Sequence, residues 1–112
     1  MPLVNIRSSV PKTEKVNILL KEISSCIAGL TGKPERYVMT CMETNVEMTF
    51  GGLQNHCCYV EVKSIGGINP NDISKELCTI ISKHLEIKED MIYINFEDIQ
   101  ARNWGFNGST FG

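Results

Sequence analysis

The residue with the clearest chemical potential is the proline at the second position. Pro2 follows Met1, and the small proline side chain permits removal of the initiator methionine. The product would begin with a secondary amine, which accepts a proton where a peptide nitrogen cannot. An α-amino group titrates at about 7.7–8.0, and burial or a nearby cation lowers that pKa, which suits a base that removes a proton next to a carbonyl. Proline is also a common second residue, and a retained Met1 would make its nitrogen an inert amide.

A second candidate lies in the loop Thr31-Gly32-Lys33-Pro34, which follows the first predicted helix. Lys33 offers a cation that would bind a substrate carboxylate and favour the neutral form of the Pro2 amine. The alternative is a solvated loop lysine that the dipole at the helix C-terminus stabilises. Lys33 alone does not separate these two interpretations.

Further polar groups lie at the end of one predicted strand and along another. Ser64-Ile65-Gly66 ends a strand at a glycine pair, so the Ile65 N–H is a candidate donor to an anion. Tyr93 and Asn95 are two residues apart and therefore share one face of the last strand. Their polar ends are suited to reach a carbonyl oxygen, although both segments also fit an ordinary turn and a solvated strand face.

The elements that position these residues form two halves of one pattern. In each half a short apolar strand precedes a helix with apolar residues at a 3.6-residue spacing, and a second strand follows. Glycines and Pro34 end the first helix, whereas Asn69 and Pro70 begin the second as N-cap and first helical residue. The predicted strands cover residues 3–6, 37–42, 58–65 and 91–96.

Residues 4–8 (VNIRS) parallel residues 60–64 (VEVKS), which indicates an internal repeat. Each strand–helix–strand unit requires parallel strands and a right-handed crossover. We therefore predict an α+β fold, in which two βαβ repeats form a four-stranded mixed sheet with two helices on one face. The other face is expected to be apolar at alternate positions and covered by another subunit.

Two smaller segments carry their own expectations. Residues 47–50, followed by Gly51 and Gly52, suggest a short edge strand and a turn. The tail over residues 103–111 places aromatic side chains between glycines, which favours a segment docked onto a neighbouring subunit.

Composition excludes several functional classes. The 112 residues suit one domain, spanning 1–112, and include 42% hydrophobic and 21% charged residues. The formal net charge of −2, without a basic patch, argues against nucleic acid and against a membrane surface as partners. No apolar stretch of signal-peptide length begins the chain, so we predict a cytoplasmic protein whose export, if it occurs, needs no signal peptide.

In its combination and order of motifs, the sequence resembles the macrophage migration inhibitory factor (MIF) family across essentially the whole chain. The motifs are Met1-Pro2, Thr31-Gly32-Lys33-Pro34, Phe50-Gly51-Gly52, Ser64-Ile65-Gly66, Tyr93-Ile94-Asn95-Phe96 and Asn107-Gly108-Ser109-Thr110-Phe111. The resemblance implies a homotrimer of βαβ-repeat subunits with its active site at the subunit interface. It also implies keto–enol tautomerisation of phenylpyruvate-like and dopachrome-like substrates, without a metal or organic cofactor.

The same resemblance assigns roles to individual residues. Pro2 would be the catalytic base, and Lys33 and the Ile65 backbone would bind the carboxylate of a small aromatic α-keto acid. Tyr93 and Asn95 would come from the adjacent subunit. Possible residues of the pocket rim are Tyr37, Ser64, Trp104, Phe106 and Phe111.

The sequence departs from the family pattern at two places. Many relatives carry a Cys-x-x-Cys motif, but here Val60 stands at its second position and Cys57 is followed directly by Cys58, so a thiol oxidoreductase activity of that type is not expected. In the tail, Trp104 replaces a smaller aliphatic residue and Phe106 replaces a tryptophan of the mammalian members. Trp104 fits both stacking on an aromatic substrate and packing in an interface.

Three functional hypotheses follow. The first is the tautomerase. The second is a cytokine-like protein that binds an immune-cell receptor and retains a vestigial tautomerase pocket. The third, a non-catalytic regulatory module of ferredoxin-like type, leaves the joint order of the motifs unexplained.

Overall fold

A computed structural model describes all 112 residues, and two strand–helix–strand units account for most of them. A 3₁₀ turn precedes the second strand of each unit, and a small hairpin closes the chain. The first unit comprises β1 (Leu3–Ser8), α1 (Lys15–Thr31), a turn at Glu35–Tyr37 and β2 (Met39–Glu43). The rest comprises β3 (Cys58–Ser64), α2 (Pro70–Leu85), a turn at Glu89–Met91, β4 (Ile92–Asp98), a turn at Ala101–Asn103, β5 (Gly105–Phe106) and β6 (Ser109–Thr110).

The sheet has the strand order β2-β1-β3-β4. Strands β1 and β2 are parallel, as are β3 and β4, because a helix crosses over between the members of each pair. The two units meet along β1 and β3, which are antiparallel with Val4 opposite Val62 and Ile6 opposite Val60. The residues of the predicted repeat are therefore direct neighbours, and the predicted mixed sheet is confirmed.

Both helices pack on the same face of this sheet and form one apolar core with it. Burying each large aliphatic side chain contributes about 1.5–3 kcal/mol relative to an exposed one. The fully buried members from the strands are Val4, Ile6, Val60 and Val62, and those from the helices are Leu19, Ile23, Ile27, Ile73, Leu77 and Ile81.

Local signals define the end of α1 and the start of α2 as the sequence predicted. The Asn69 side-chain oxygen accepts a hydrogen bond from the Asp72 N–H at 3.4 Å, and Pro70 is the first residue of α2. Gly32 ends α1 in the left-handed conformation, with φ of 69°. Neither helix combines the length and apolar character needed to cross a membrane.

Two predicted strands differ from the structure. The segment at residues 47–50 is no edge strand, because only Phe50 and Leu53 bridge across the turn at Gly51 and Gly52. Both glycines have positive φ, so the chain reverses before a ladder can form. Tyr37 belongs to a 3₁₀ turn, and β2 begins only at Met39.

The prediction of an apolar second face is wrong. Side chains on the face away from the helices alternate between hydrophobic and charged or polar types, and several pair with each other. Arg7 contacts Glu43 at 3.4 Å, and Asn5 donates to Glu61 at 3.4 Å. This face is therefore not the continuous apolar surface that would by itself require a covering subunit.

The two helices are also linked by a polar contact at their exposed edges. The imidazole Nε2 of His84 in α2 donates to Glu22 in α1, and the Lys83 ammonium lies 3.5 Å from the same carboxylate. The hydrogen bond from His84, followed by the Lys83 charge, lowers the pKa of Glu22 below its ordinary value of 4.5, although burial opposes this. His84 is thus a partly buried histidine that links the two helices.

We expect Glu22→Gln to lower the free energy of unfolding at pH 7 by at most ~1 kcal/mol, because the pair is partly exposed and screened. A depressed carboxyl pKa stabilises the fold above the unfolded pKa, and this contribution is lost as the pH falls through the folded pKa. In urea unfolding, the difference from wild type should therefore shrink as the pH falls below about 4.5 and vanish only once the pH is below the lowered pKa of Glu22. Glu14→Gln, at an exposed residue without an ion pair, is the control; a difference that persists at acid pH would contradict the expectation.

Candidate functional site

A cavity of about 570 Å³ lies where β1 begins, a size typical of small-molecule sites. Pro2 lines this cavity, and its side chain is fully buried. The Pro2 carbonyl accepts a hydrogen bond from the Met39 N–H at 3.0 Å, which fixes the start of the chain against β2. The first residues of the chain are therefore held in the cavity wall rather than in solvent.

The electrostatic environment of the chain's start favours a neutral amine. The pKa of the Met1 α-amino group is lowered below 8.0, first by burial and second by the charge of Lys33. Both causes act by disfavouring the protonated form. Lys33 does not line the cavity itself, but its charge lowers the pKa of the Met1 α-amino group.

The chain approaches itself closely beside Lys33. A Cβ atom added to Gly67 would lie 2.8 Å from the Thr31 carbonyl oxygen and 3.3 Å from Lys33 Cε. Gly67 also has a φ of 70°, which side chains rarely adopt. This glycine therefore allows the lysine stem to cross the loop that follows β3, next to Ile65.

The loop after β3 is fixed at both sides of Ile65. The Ser64 hydroxyl donates to the Gly66 carbonyl at 2.8 Å, and the Gly66 N–H donates to Asp98 Oδ1 at 2.9 Å. None of the turn and loop hydrogen bonds of the chain uses the Ile65 N–H, which leaves this donor available. Ser64, predicted at the pocket rim, is buried and is not among the residues that line the cavity in this chain.

Aromatic side chains form one wall of the cavity. The rings of Phe106 and Phe111 stack at 5.6 Å between centroids, and Tyr37 meets both edge-on at 5.5 and 6.2 Å. Trp104 also lines the cavity, and its carbonyl accepts from the Phe111 N–H at 3.1 Å. Four of the five predicted rim residues thus lie around Pro2.

The tail that carries these rings is the hairpin of β5 and β6. Asn107 and Gly108 connect the strands with φ of 52° and 87°, the combination that a tight two-residue hairpin loop requires. The tail packs its aromatic residues against Tyr37 of its own chain. The expected contact of the tail with a neighbouring subunit stays a prediction.

Tyr93 and Asn95 lie elsewhere in the chain. Both are exposed on β4, on the face away from the helices, and the Tyr93 ring contacts Phe50 at 4.6 Å between centroids. Strand β3 separates them from β1, and Asn95 is level with Asn5. Strand spacing and rise place both side chains on the order of 15 Å from Pro2, and neither lines the cavity.

The structure adds cavity residues that sequence reasoning missed, among them Arg36 and Lys63. The Arg36 guanidinium lies over the Tyr37 ring at 4.8 Å, and Lys63 lies 3.9 Å from Glu97. The spacing of Lys33 and Arg36 was a possible signal, but the 3₁₀ turn that carries Arg36 to the cavity was not predicted, and only its last residue, Tyr37, was assigned to the second strand. Lys63 belongs to the repeat motif and was interpreted only as a strand residue.

The adjacent cysteines are core residues. Cys57 and Cys58 are each 1% exposed, and burial raises the pKa of the Cys58 thiol to about 12, with smaller contributions from Cys57 and Cys78. Such a thiol is protonated at neutral pH and inert. No three His, Cys, Asp or Glu side chains are grouped so that they would hold a metal ion.

The arrangement around the cavity can support proton transfer at carbon. It combines an aromatic wall with a buried chain start, where burial and the Lys33 charge disfavour a protonated α-amino group. These are the groups needed to orient an aromatic acid and to remove a proton from it. Lys33 and Ile65 are not among the residues that line the cavity.

Comparison with known proteins places these features in context. The family model of macrophage migration inhibitory factor (MIF) matches residues 1–112. The protein is 37% identical over 114 residues to macrophage migration inhibitory factor of Meriones unguiculatus, with 99% of each chain covered. It is 36% identical over 115 residues to the homolog from Brugia malayi, with both chains fully covered.

Two solved structures are also similar to this chain in sequence and in fold. A macrophage migration inhibitory factor homologue from Prochlorococcus marinus is 51% identical with a TM-score of 0.95, over 98% of this chain and 99% of that one. Macrophage migration inhibitory factor of Toxoplasma gondii is 30% identical with a TM-score of 0.92, over 97% and 99%. The similarity thus spans the two repeats, the cavity and the hairpin tail.

Proposed function

The chain belongs to the macrophage migration inhibitory factor family, and from this premise we propose that it is a keto–enol tautomerase of phenylpyruvate-like and dopachrome-like substrates. Pro2, freed by removal of Met1, is the proposed base. The observation that carries the proposal is the buried start of the chain, where burial and Lys33 both lower the pKa of the terminal amine. These causes act on the Met1 α-amino group, and they would act in the same direction on a Pro2 amine exposed by removal of Met1, favouring the neutral form that accepts a proton.

The proposed reaction needs only groups of the protein. The substrate carboxylate binds the Lys33 ammonium and the Ile65 N–H. The Pro2 nitrogen takes a proton from the carbon next to the keto group, and the C–H electron pair forms the C=C bond of the enol. Charge that develops on the keto oxygen is stabilised by oriented donors, and the protonated Pro2 returns the proton to that oxygen. The reverse sequence converts enol to keto acid.

We further propose that the site is completed by a second copy of the chain in a homotrimer. Tyr93 and Asn95 are exposed and remote from Pro2 within one subunit. Their polar ends would reach the keto oxygen only from a neighbour. Tyr93, which is exposed and contacts the half-buried Phe50 ring, also offers an aromatic contact surface near that edge. A head-to-tail interface of this kind closes into a ring.

A complementation experiment tests the proposed function and the shared site together. Pro2→Gly and Asn95→Ala proteins are each expected to be nearly inactive in a phenylpyruvate tautomerase assay, with trimeric mass confirmed by light scattering. Unfolding and refolding the two variants together should form mixed trimers. In a shared site, about a quarter of the sites then pair an intact Pro2 with an intact neighbouring Asn95, and activity returns to that level.

The outcomes against the proposal are distinct. If both groups came from one chain, no mixed trimer would contain an intact site, and the activity would stay at the level of the single variants. If wild-type protein that lacks Met1 by intact-mass measurement failed to interconvert keto and enol acids, the tautomerase itself would be excluded.

Receptor binding and export stay predictions from the family likeness. The family includes cytokine-like members as well as tautomerase-fold proteins. A binding assay on immune cells with wild-type and Pro2→Gly protein separates the two roles, because a surface-based interaction would survive the loss of catalysis.

A further inference from the structure

The cavity beside Pro2 has an unbalanced charge. Arg36 and Lys63 line it, and none of its lining residues is an aspartate or glutamate. The Lys63 ammonium has Glu97 as a partner at 3.9 Å. Arg36 has no carboxylate within ion-pair distance and makes no side-chain hydrogen bond within the chain, although its guanidinium carries five donors.

Arg36 is also held in place at the rim. It is the central residue of the 3₁₀ turn Glu35–Tyr37, which is closed by hydrogen bonds of 3.0 Å from the Tyr37 N–H to Pro34 and from the Val38 N–H to Glu35. Its guanidinium lies 4.8 Å from the centre of the Tyr37 ring, a cation–π contact that limits its rotamers. Glu35, the acidic neighbour in the sequence, does not line the cavity.

From this geometry we infer that Arg36 binds a second anionic group of the substrate, in addition to the keto-acid carboxylate. The inference rests on the proposed function, which assigns that first carboxylate to Lys33 and Ile65. The preferred substrates are then aromatic 2-keto acids that carry a further carboxylate or a similar anion. A planar guanidinium recognises such a group with two parallel hydrogen bonds, which a lysine cannot make.

The cavity has the required space and lining. Its volume of about 570 Å³ lies in the range that holds drug-sized ligands, so an aromatic keto acid with an added substituent fits. The aromatic wall of Tyr37, Phe106 and Phe111 receives the ring. Because Tyr37 contacts both the phenylalanines and Arg36, a substituent on a ring seated at this wall is directed toward the guanidinium.

The test begins with binding, which does not depend on catalysis. Titration calorimetry compares two non-reacting analogues, the dianion 3-(4-carboxyphenyl)propanoate and its monoanionic isostere 3-(4-carbamoylphenyl)propanoate, in which the ring substituent is neutral. Wild-type protein is expected to bind the dianion about tenfold more tightly, as one charge-assisted contact at an exposed rim provides. Arg36→Gln should abolish this preference, Arg36→Lys should retain part of it, and added salt should weaken it.

Arg102→Gln is the matched control. Arg102 is also an exposed arginine in a 3₁₀ turn, and it adjoins the cavity residue Asn103 without lining the cavity itself. Arg102→Gln and Arg36→Gln change the net charge by the same amount, so a general electrostatic effect would appear in both variants. The dianion preference should remain in Arg102→Gln. Equal affinity of the wild type for the two analogues, or a preference that survives Arg36→Gln, overturns the inference.

Rates provide the second readout. The ratio of kcat/KM for 4-carboxyphenylpyruvate over 4-carbamoylphenylpyruvate should be about tenfold in the wild type and near unity in Arg36→Gln, with the change in KM rather than kcat. A wild type that tautomerises both substrates at equal efficiency contradicts the role of Arg36 and leaves the tautomerase intact. A wild type that binds the dianion selectively but enolises neither substrate contradicts the tautomerase and leaves the anion subsite intact.

Discussion

Pro2→Gly protein is expected to tautomerise phenylpyruvate with a kcat/KM about 10²–10⁴-fold below that of the wild type, the range that a positioned general base contributes. The variant still has a terminal amine after methionine removal, but a flexible primary amine in place of a rigid, buried secondary one. Pro2 is fully buried, and its carbonyl is bound to the Met39 N–H, so the ring is what orients the nitrogen in the cavity. Steady-state kinetics on both proteins measures the loss.

Two checks make this result decisive. Intact-mass measurement must show that Met1 is absent from both proteins, because an amide nitrogen in the wild type would make the comparison meaningless. Pro11→Gly is the matched substitution, since Pro11 is exposed and precedes α1 far from the cavity. Full activity in a correctly processed Pro2→Gly protein would exclude the proline as base.

The second large effect concerns Lys33. The Lys33→Met variant keeps most of the side-chain stem beside Gly67 but removes the charge. We expect kcat/KM for phenylpyruvate to fall by about 10–100-fold, because one charge-assisted contact to the substrate carboxylate is lost. Because the Lys33 charge lowers the pKa of the terminal amine, its removal must raise that pKa. The acidic limb of the kcat/KM profile should therefore move to higher pH, where the amine becomes neutral.

The pH profile distinguishes this dual role from a simple loss of binding. Lys12→Met, at an exposed position outside the cavity, removes the same charge and should leave both the rate and the profile unchanged. A reduced rate with an unshifted acidic limb would assign Lys33 to substrate binding alone. Unchanged kinetics in Lys33→Met would remove it from the site.

Lys33 and Arg36 have different roles in the proposed function. Lys33 acts on the start of the chain, whereas Arg36 lies at the rim with no partner of its own. If both bind anions, substrate selection depends on charge at two points and on the aromatic wall between them. Trp104 and Phe106, which differ from the residues of the mammalian family members, then adjust the fit of the substrate ring rather than the proton transfer.

The fold was predictable where local signals and the global repeat agree. Asn69 and Pro70 specify the start of α2 by capping and by a preset φ, and Gly32 specifies the end of α1 through its left-handed conformation. The repeat predicted that β1 and β3 are related. Segments without such signals were predicted less well: residues 47–50 have strand composition, but two positive-φ glycines turn the chain back before a partner strand is reached.

The prediction that the open face of the sheet is apolar was wrong for a different reason. Alternation along a strand shows which residues share a face, but the composition of a whole face depends on the register of four strands. Asn5 meets Glu61, and Arg7 meets Glu43, across strand pairs that are distant in sequence. These pairings make the face mixed rather than apolar, and no single strand reveals them.

By itself the sequence determined the two βαβ repeats, the helix ends and the candidate groups Pro2 and Lys33, because each follows from short-range residue chemistry. Only the tertiary structure decided that Tyr37, Trp104, Phe106 and Phe111 surround Pro2, that Ser64 does not, and that Arg36 reaches the same cavity without a counterion. The physical reason is that a pocket is formed by contacts between segments far apart in the chain. The charge balance of this pocket, and the absence of Tyr93 and Asn95 from its lining, are set only once those segments are packed together.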